Sequence, residues 1–440
     1  MDLSKVLAGH ICLSVRMVAT VVLAAVCTAA GAQQPAETPA DNGSEAVPQG
    51  GSATGGVFTP VLDSENRPIT EGGFVKTGPV IFKDVSEQAG LTVWKHKMGT
   101  PQKRFILETI GSGVALLDYD HDGWLDIYMV NGSTFDAQDG KEEPPHAALF
   151  HNNHDGTFTD VAEKAGVTLG NWSTGPSFGD YDGDGLLDIF VPGYIHWDPN
   201  NLPAPGSSAV GFANCSFRGV QTMCGPRGLP GEPDHLFHNN GDGTFTDVSA
   251  KAGVDDKRHY YGFSSTFVDV NDDGKVDLIV TDDSSPNYLY LNNGNGTFQD
   301  ASFYSGFALN QDARETASMG LAVGDYMNNG RLDLYTTTFS DDYKTLYRND
   351  GDANYVDVTP EMGMAEPTYP FLSWGTAFFD YDNDGWKDLM FVGGHVYPQA
   401  DDHDWGTSWA ERPILFHNTG QGKKFELVPA VEGKGRDSPT

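Results

Sequence analysis

Short runs in which hydrophobic and polar residues alternate flank a set of acidic turns along the chain. Residues 113–117 lead into the first of these turns at Asp118, and residues 126–130 follow it. Alternation with a period of two over about four to eight residues is typical of β-strands with one buried face. Because a similar pair of runs flanks all five acidic turns, the pattern predicts an all-β protein built from repeated strand pairs.

The acidic turns share a nine-residue pattern, with oxygen-bearing side chains at positions 1, 3, 5 and 9 and glycine at position 6. Ca²⁺ takes about six to eight oxygens at about 2.3–2.6 Å, and glycine permits the sharp turn round the ion. Position 7 offers its backbone carbonyl. The predicted metal ligands are Asp118, Asp120, Asp122, Trp124, Asp126, Asp180, Asp182, Asp184, Leu186, Asp188, Asp269, Asn271, Asp273, Lys275, Asp277, Asp325, Asn329, Arg331, Asp333, Asp380, Asp382, Asp384, Trp386 and Asp388.

The EF-hand is the rival interpretation of these turns, and position 12 excludes it. An EF-hand needs a glutamate there and a helix on each side. This chain has Met129, Val191, Val280, Thr336 and Phe391 at that position, with strand-like flanks. The turns are therefore interpreted as calcium loops between β-strands.

The five loops differ in their ligands. The third replaces one carboxylate with Asn271, and the fourth has Met327 at position 3, where no oxygen is available. Because affinity follows the number and charge of the ligands, we expect about four to five structural Ca²⁺ ions, with the fourth loop the weakest.

A second signature alternates with the loops and predicts a hairpin. Leu149 starts a Leu-Phe-His-Asn-Asn segment that leads to Gly-Thr-Phe-Thr-Asp-Val at 156–161, and related pairs begin at Leu236, Leu289, Leu346 and Leu415. Asn and Gly between two apolar runs favour a hairpin turn. Each unit then has four strands, and the loops recur at intervals of 55 to 89 residues. Such a repeat predicts the blades of a β-propeller.

Two stretches depart from the repeat. Residues 81–85 match the last strand of a unit although no unit precedes them, which predicts a ring-closing strand that pairs near Val428. Five full units and this strand predict a six- or seven-bladed ring, and an unclosed ring would expose an edge that favours self-association. The extra length between Tyr194 and Glu232 predicts a surface insertion within one blade.

The N-terminal region predicts export. Residues 1–32 form a signal peptide, with basic residues before an apolar run at 17–27 and a small-residue cleavage site at 30–32. The run is too short to span a bilayer comfortably, so we expect no transmembrane span in the mature chain. Cleavage at Cys27 as a lipoprotein is the alternative. Residues 33–78 are a low-complexity linker, 79–432 the propeller and 433–440 a tail. The expected location is secreted or extracytoplasmic.

Charge and cysteine content agree with this location. The formal net charge of −34 argues against nucleic acid or an anionic membrane as a partner. Cys12 and Cys27 lie in the signal peptide, which leaves Cys215 and Cys224 in the mature chain. A local disulfide is expected in an oxidising compartment, and a zinc site lacks the further ligands it would need.

Three further segments carry a resemblance to a known family: Glu-Thr-Ile-Gly-Ser-Gly-Val at 108–114, Cys-Gly-Pro-Arg-Gly-Leu-Pro-Gly-Glu-Pro at 224–233, and Gly-His-Val-Tyr-Pro at 394–398. With the loops, they resemble FG-GAP/VCBS repeats and, more narrowly, the cartilage-acidic-protein-like (ASPIC/UnbV-associated) secreted family. The resemblance implies an integrin-α-like β-propeller with calcium sites in its blades, usually seven blades. Family members usually continue into a further blade and a C-terminal domain, so the closure of the ring is left open.

Two classes of function remain open. The leading hypothesis is a secreted calcium-binding module for adhesion to protein or glycan ligands, including a calcium-dependent lectin. The alternative is a propeller enzyme of the lyase type that acts on polysaccharide, with His395, His96 and Glu108 as candidate catalytic residues. Loop histidines are more often hydrogen-bonded structural groups, and no nucleophile elbow or phosphate loop is present. The sequence therefore favours a protein that is not an enzyme. His151, His238 and His417 recur at one repeat position and are predicted to pack structurally.

Overall fold

The computed structural model describes residues 83–100, 105–198 and 215–429. These residues form five four-stranded antiparallel sheets, here called blades 1 to 5, and one two-stranded hairpin. Blade 1 contains β1 (Val114–Leu117), β2 (Asp126–Met129), β3 (Ala148–Asn152) and β4 (Phe158–Asp160). Blade 2 contains β5 (Ser177–Gly179), β6 (Asp188–Val191), β9 (His235–Asn239) and β10 (Phe245–Asp247), with the hairpin β7 (Ser216–Phe217) and β8 (Val220–Gln221) inserted.

The remaining blades repeat this order without an inserted hairpin. Blade 3 contains β11 (Gly262–Val268), β12 (Asp277–Asp282), β13 (Tyr288–Asn292) and β14 (Phe298–Asp300). Blade 4 contains β15 (Leu321–Gly324), β16 (Asp333–Thr336), β17 (Thr345–Asn349) and β18 (Tyr355–Asp357). Blade 5 contains β19 (Ser373–Phe379), β20 (Asp388–Gly393), β21 (Ile414–Asn418) and β22 (Phe425–Leu427).

Helical segments are short and lie between strands. The α-helices are α1 (Phe135–Gln138), α2 (Ala162–Ala165), α3 (Ser249–Ala252) and α4 (Ala365–Thr368), and the 3₁₀ turns are Leu91–Val93, Ile106–Glu108 and Pro398–Asp402. The prediction of an all-β propeller with four strands per unit is confirmed.

Strand register places every acidic loop at one end of its blade. In blade 1, Leu117 pairs with Asp126, so the loop that starts at Asp118 joins β1 to β2 as their connection. In blade 5, Phe379 pairs with Asp388 in the same way. The five acidic loops therefore occupy equivalent positions, as the repeat predicted.

Adjacent blades pack through their first strands. Gly175, just before β5, forms a bridge with Ser264 of β11. A Cβ atom on Gly179 would lie 2.5 Å from the Phe267 side chain of the next blade. The glycine at this position is therefore required for space, because the aromatic ring of the neighbouring blade fills it.

Each blade also contacts the outer strand of the next. The Tyr355 backbone N–H donates to the Ser305 carbonyl at 2.6 Å, and the Phe425 N–H donates to the Met362 carbonyl at 3.2 Å. Phe158 makes the same bond to the Ala89 carbonyl at 2.9 Å. The segment round Ala89 therefore holds, against blade 1, the position that the final turn of a preceding unit would take.

The ring-closing strand predicted at residues 81–85 falls partly outside the described residues. Residues 81 and 82 are not described, and residues 83–85 form no strand. Their pairing near Val428 stays a prediction.

A hydrophobic cluster, called the axial cluster, joins all five blades at the end away from the acidic loops. It receives a buried or nearly buried side chain from the segment just before the first strand of each blade, namely Ile106, Trp172, Tyr261, Met319 and Leu372. Because each first strand runs from this segment to its acidic loop, the loops and the axial cluster lie at opposite ends of the blades.

The described part of the insertion in blade 2 contacts this cluster through the partly buried side chains of Phe217, Val220 and Met223, while Ser216, Arg218, Gly219 and Gln221 are exposed, as a surface insertion predicts. Its disulfide, Cys215–Cys224, closes the β7–β8 hairpin with an S–S distance of 2.08 Å. The Phe217 ring lies 5.0 Å from the Trp405 ring of blade 5, between centroids. Arg218 forms an ion pair with Asp341 of blade 4. An aromatic residue at the hairpin tip thus fixes the insertion over the axis.

Candidate metal loops and an axial cavity

The first residue of each acidic loop organises its backbone. The Asp118 carboxylate accepts the backbone N–H groups of Asp122 at 3.1 Å and Gly123 at 3.0 Å. Gly123 has a φ of 89°, a left-handed conformation that glycine adopts without steric cost. The same two N–H bonds are made by Asp180, Asp269, Asp325 and Asp380. The sequence pattern therefore forms one common loop shape.

The ninth residue of each loop is fully buried at the start of the second strand. In blade 2, the Asp188 carboxylate accepts the backbone N–H of Tyr181 at 3.2 Å and that of Asn239 at 2.9 Å. Burial, with a smaller contribution from the nearby Asp182, raises the pKa of Asp188 to about 7. Burial likewise raises the pKa of Asp277 to about 6 and that of Asp333 to about 7. A cation in the loop would favour the charged form of these carboxylates.

Carboxylate oxygens in these loops come close enough to share one ion. Ligand atoms of Asp118, Asp120 and Asp122 lie within 4.8 Å of one another, and so do those of Asp180, Asp182 and Asp184. Oxygen ligands at such spacing suit Ca²⁺ rather than a soft metal. The donor set of these loops therefore fits the ion that the sequence implied.

Three histidines point a ring nitrogen at the loops. The Nδ1 atom of His238 lies 3.3 Å from Asp182 Oδ2 and 3.2 Å from Asp188 Oδ1. His151 and His417 hold equivalent positions beside their own loops. The interpretation of these histidines as packing residues is incomplete, since each borders a candidate metal site. The sequence signal for this role is that each histidine directly precedes the asparagine that recurs in the hairpins.

The fourth loop differs as its sequence indicates. Met327 packs against the buried cluster between blades 4 and 5, where a Cβ on Gly422 would lie 2.8 Å from its Cε, and its Sδ lies 3.9 Å from Asn329 Nδ2 in the loop. Arg348 stands where blades 1, 2 and 5 have histidine, and its guanidinium pairs with Asp350 at 2.7 Å. The loop therefore keeps fewer oxygen groups.

The third loop carries its own positive charge. The Lys275 Nζ lies 2.7 Å from Asp273 Oδ2. The sequence predicts the Lys275 backbone carbonyl, at position 7, as a metal ligand. A cation that binds in this loop would have to displace the Lys275 ammonium group from Asp273.

One asparagine in the hairpin of each of blades 2 to 5 links the loop of its own blade to that of the preceding blade. The Asn239 Nδ2 donates to the Leu187 carbonyl at 3.2 Å and to the Tyr119 carbonyl of blade 1 at 2.8 Å. Asn292, Asn349 and Asn418 make the corresponding bonds. The hairpin signature in the sequence contains these asparagines, but it does not indicate that they contact another blade.

A cavity of about 350 Å³ opens at the opposite end of the blades, beside the axial cluster. Its lining combines aromatic rings, carboxylates and guanidinium groups: Tyr194, Phe263, Phe339, Trp374, Tyr397, Asp283, Glu315, Asp341, Asp342, Arg227 and Arg314. Arg227 pairs with Glu315 at 3.0 Å, and Asp283 accepts the Tyr194 hydroxyl at 2.8 Å. The cavity therefore offers stacking surfaces together with oriented polar groups.

His395 is a buried, neutral group whose side chain does not line the cavity but contacts Ser340 and Tyr397, which do. Its Nδ1 accepts the Tyr397 backbone N–H at 3.1 Å, and its Nε2 lies 3.0 Å from the Ser340 hydroxyl. Burial, helped by the charge of Arg218, lowers the pKa of His395 to about 4. With Nδ1 as acceptor, the ring proton resides on Nε2 and is directed at Ser340.

Comparison with known proteins agrees with this architecture. The model of the FG-GAP-like repeat matches residues 118–191, 228–280, 269–336 and 325–391, which together make up more than half of the chain. The chain belongs to the FG-GAP-like repeat family. All five acidic loops lie within the matched segments.

Curated relatives of this FG-GAP protein include cartilage acidic protein 1. The human protein is 27% identical over 330 residues, which cover 65% of this chain and 48% of the relative. The mouse protein is 26% identical over 327 residues, covering 65% and 49%. The chain thus spans about half the length of the curated relatives it matches.

A solved structure of an Agrocybe aegerita lectin, which recognises non-reducing terminal N-acetylglucosamine, is also similar. It is 18% identical with a TM-score of 0.28, over 73% of this chain and 80% of the lectin chain. A likeness this distant carries no argument about ligands.

In this FG-GAP protein the two other candidate catalytic residues, Glu108 and His96, differ in burial. Glu108 is fully buried, and its carboxylate accepts the Thr100 hydroxyl at 2.7 Å and the Phe105 backbone N–H at 3.0 Å. His96 is exposed, with its ring 6.3 Å from that of Trp94. Neither residue lines the axial cavity.

In the described part of the chain, every helix is shorter or more polar than a membrane span requires.

Proposed function

We propose that the protein is an extracytoplasmic, calcium-stabilised β-propeller that binds a protein or glycan ligand in the axial cavity. Calcium binding is assigned to the acidic loops, and ligand binding to the opposite end of the blades. The observation that carries the proposal is the cavity itself, which combines Trp374, Phe263 and Tyr397 with charged groups held by ion pairs.

Calcium in the loops has a structural role in this proposal. Asp118, Asp120, Asp122 and Asp126 would hold the ion in the first loop, with the Trp124 carbonyl, and the equivalent residues would do so in the other loops. Ca²⁺ supplies charge neutralisation for the clustered carboxylates, and it is neither a redox centre nor a strong activator of water. The loop connects two strands and, through the hairpin asparagine, the next blade, so neutralising it stabilises the assembly of blades.

The size and lining of the cavity suit a small polar group. Ligand pockets typically enclose about 300–1,000 Å³ and combine apolar walls with a few placed polar groups. At about 350 Å³ the cavity can admit a terminal sugar or one peptide side chain. Aromatic rings can stack on the apolar face of a sugar, while the carboxylates accept hydrogen bonds from its hydroxyl groups.

The chemistry of His395 favours binding over lyase-type catalysis. A general base works best with a pKa near the operating pH and must reach the proton it removes. The pKa of His395 is lowered to about 4, and both ring nitrogens already face protein partners. A histidine held in this way positions Ser340 at the cavity wall.

The disulfide supports an oxidising location. Cys215 and Cys224 are bonded in the insertion that covers the axis. Disulfides persist mainly in secreted and extracytoplasmic proteins. The predicted signal peptide at residues 1–32 lies outside the described residues and is proposed on the sequence alone.

A paired binding screen tests the proposal. The protein is applied to glycan and extracellular-protein arrays, and hits are measured again with a Trp374→Ala variant and a Trp124→Ala control. Trp124 is exposed on the first acidic loop, at the other end of the blades. We expect at least tenfold weaker binding for Trp374→Ala and unchanged binding for Trp124→Ala. Loss of binding only in the Trp124 variant, or release of unsaturated sugars from a polysaccharide, would contradict the proposal.

A further inference from the structure

Three buried carboxylates lie together between blades 2 and 3, outside the acidic loops. Asp234 immediately precedes β9 of blade 2, Asp282 ends β12 of blade 3, and Asp256 lies on the connection between the two blades. Their exposed fractions are 1%, 1% and 2%. Carboxylates are rarely buried this completely unless they are paired or bind a metal.

Strand geometry directs Asp234 and Asp282 into one space. Asp282 is the direct partner of Gly262 in the β11–β12 ladder, so its side chain leaves the sheet on the face where a Cβ of Gly262 would project. That Cβ position lies 2.9 Å from Pro192 Cβ, 3.0 Å from Asp234 Oδ1 and 3.0 Å from the Gly193 carbonyl oxygen. The absence of a side chain at Gly262 therefore lets Asp234 approach the face of the sheet on which Asp282 lies.

Asp256 lies near enough for its charge to act on both other carboxylates, and it is held firmly. Its carboxylate accepts the Tyr288 hydroxyl at 2.5 Å and the Tyr260 backbone N–H at 2.6 Å. Its negative charge acts on both other carboxylates and, with their burial, raises the pKa of Asp234 and Asp282 well above the usual range.

Several oxygens of the cluster have no partner. Asp234 uses Oδ1 to accept the Gly193 backbone N–H at 2.8 Å, but its Oδ2 has no hydrogen bond. Neither carboxylate oxygen of Asp282 has one. A neutral carboxyl in this position would still need an acceptor for its O–H, so protonation with a shared proton and binding of a cation are the two ways to stabilise the cluster.

Nearby basic residues are engaged elsewhere. Arg258 pairs with Asp300 at 3.0 Å, and Lys257 lies 3.7 Å from Asp255. His259, whose charge would act on Asp256, has its Nδ1 3.2 Å from the Gly231 carbonyl. Within the described residues, no lysine or arginine forms an ion pair with Asp234, Asp256 or Asp282. No described side-chain cation therefore neutralises the cluster.

We propose that Asp234, Asp256 and Asp282 bind a divalent cation of the calcium class, in a site separate from the five acidic loops. All ligand atoms offered are oxygens, and Ca²⁺ accepts irregular sets of carboxylate and carbonyl oxygens. Mg²⁺ demands near-octahedral geometry, and zinc prefers nitrogen and sulfur ligands. The ion would join blade 2 to blade 3, one residue before Asp283, which lines the cavity.

Calcium stoichiometry tests the proposal with matched variants. The full-length protein, Asp282→Asn and the control Asp283→Asn are loaded with Ca²⁺ alone, freed of excess ion and measured by mass spectrometry of the elements. Asp283 is the next residue and is also buried, but its carboxylate accepts hydrogen bonds from Tyr194 and Ser284. We expect Asp282→Asn to hold one ion fewer per chain than both other proteins.

A second variant covers the case in which Asp282→Asn fails to fold. Asp234→Asn keeps an oxygen for the Gly193 N–H and loses only the charge, so it too is expected to lack one ion. Its melting temperature should fall below that of the unmodified protein in Ca²⁺ and exceed it in EDTA, where removing a buried charge is favourable. Unchanged stoichiometry in the folded variants, with a higher melting temperature in Ca²⁺, would show protonated carboxyls and overturn the proposal.

Discussion

The side-chain amide of Asn292 in blade 3 donates a 2.7 Å hydrogen bond to the backbone carbonyl of Tyr181 in the acidic loop of blade 2. The same amide donates to the Val276 carbonyl in its own loop at 2.8 Å. Asn292 is therefore shared between two loops, and any ion that orders one of them also orders the contact between the blades.

Replacing this asparagine tests whether it holds the blades together. Asn292→Ala removes two buried donor contacts and leaves carbonyl oxygens unsatisfied, so the free energy of unfolding should fall by about 1–3 kcal/mol. Asn293→Ala is the matched control, because the Asn293 amide bonds only to the exposed Thr297 hydroxyl in the same hairpin. Chemical denaturation measures both. Equal losses for the two variants would contradict the inter-blade role.

The repeat made much of this architecture predictable. Alternating runs round Asp118 and its equivalents predicted the strand pairs, and Asn-Gly hairpins predicted the other two strands of each blade. Loop shape also follows from local sequence, because Asp118 and Gly123 act within a few residues of each other.

Sequence patterns did not predict the contacts between distant parts of the chain. Nothing in the Cys-containing insertion indicated that Phe217 would reach Trp405, which lies in blade 5. The space beside Gly262 depends on the packing of blade 2 against blade 3, so Asp234 and Asp282 appeared in no motif. The hairpin asparagines recurred visibly, but their partners belong to other repeats.

The acidic loops should differ in their affinity for calcium. Asp118→Asn is expected to reduce the bound calcium by one ion per chain after mild dialysis, because the first loop has four carboxylates. Asp325→Asn should leave the count unchanged, since Met327 removes an oxygen from the fourth loop. Elemental analysis of both variants measures this. An equal loss in both would show that other oxygens complete the fourth loop.

Restoring the missing ligand extends this prediction. Met327→Asp supplies the carboxylate that the other loops have at position 3 and should add one ion per chain. The variant should be less stable than the original protein in EDTA, because Met327 packs against the hairpin at Gly422. No gain in bound calcium would mean that Arg348 or the shape of the loop, rather than Met327, limits binding.

The disulfide should stabilise the insertion over the axis. Replacing both Cys215 and Cys224 with serine should lower the free energy of unfolding by on the order of 2–3 kcal/mol, in the chain-entropy model for so short a loop. Because Phe217 lies between the two cysteines, the variant should also bind cavity ligands more weakly. Thiol alkylation of the exported protein, followed by intact mass, checks the bond itself. Two thiols that react before reduction would contradict it.

The most direct test of the account is thermal unfolding with and without calcium. An ion that binds only the folded state stabilises it by RT ln(1 + [L]/Kd), and its removal leaves clustered carboxylates that repel one another. We expect EDTA to lower the melting temperature of the protein markedly, and added Ca²⁺ to restore it where the same concentration of Mg²⁺ does not. A melting curve that is unchanged by EDTA would contradict the role of the acidic loops as structural calcium sites.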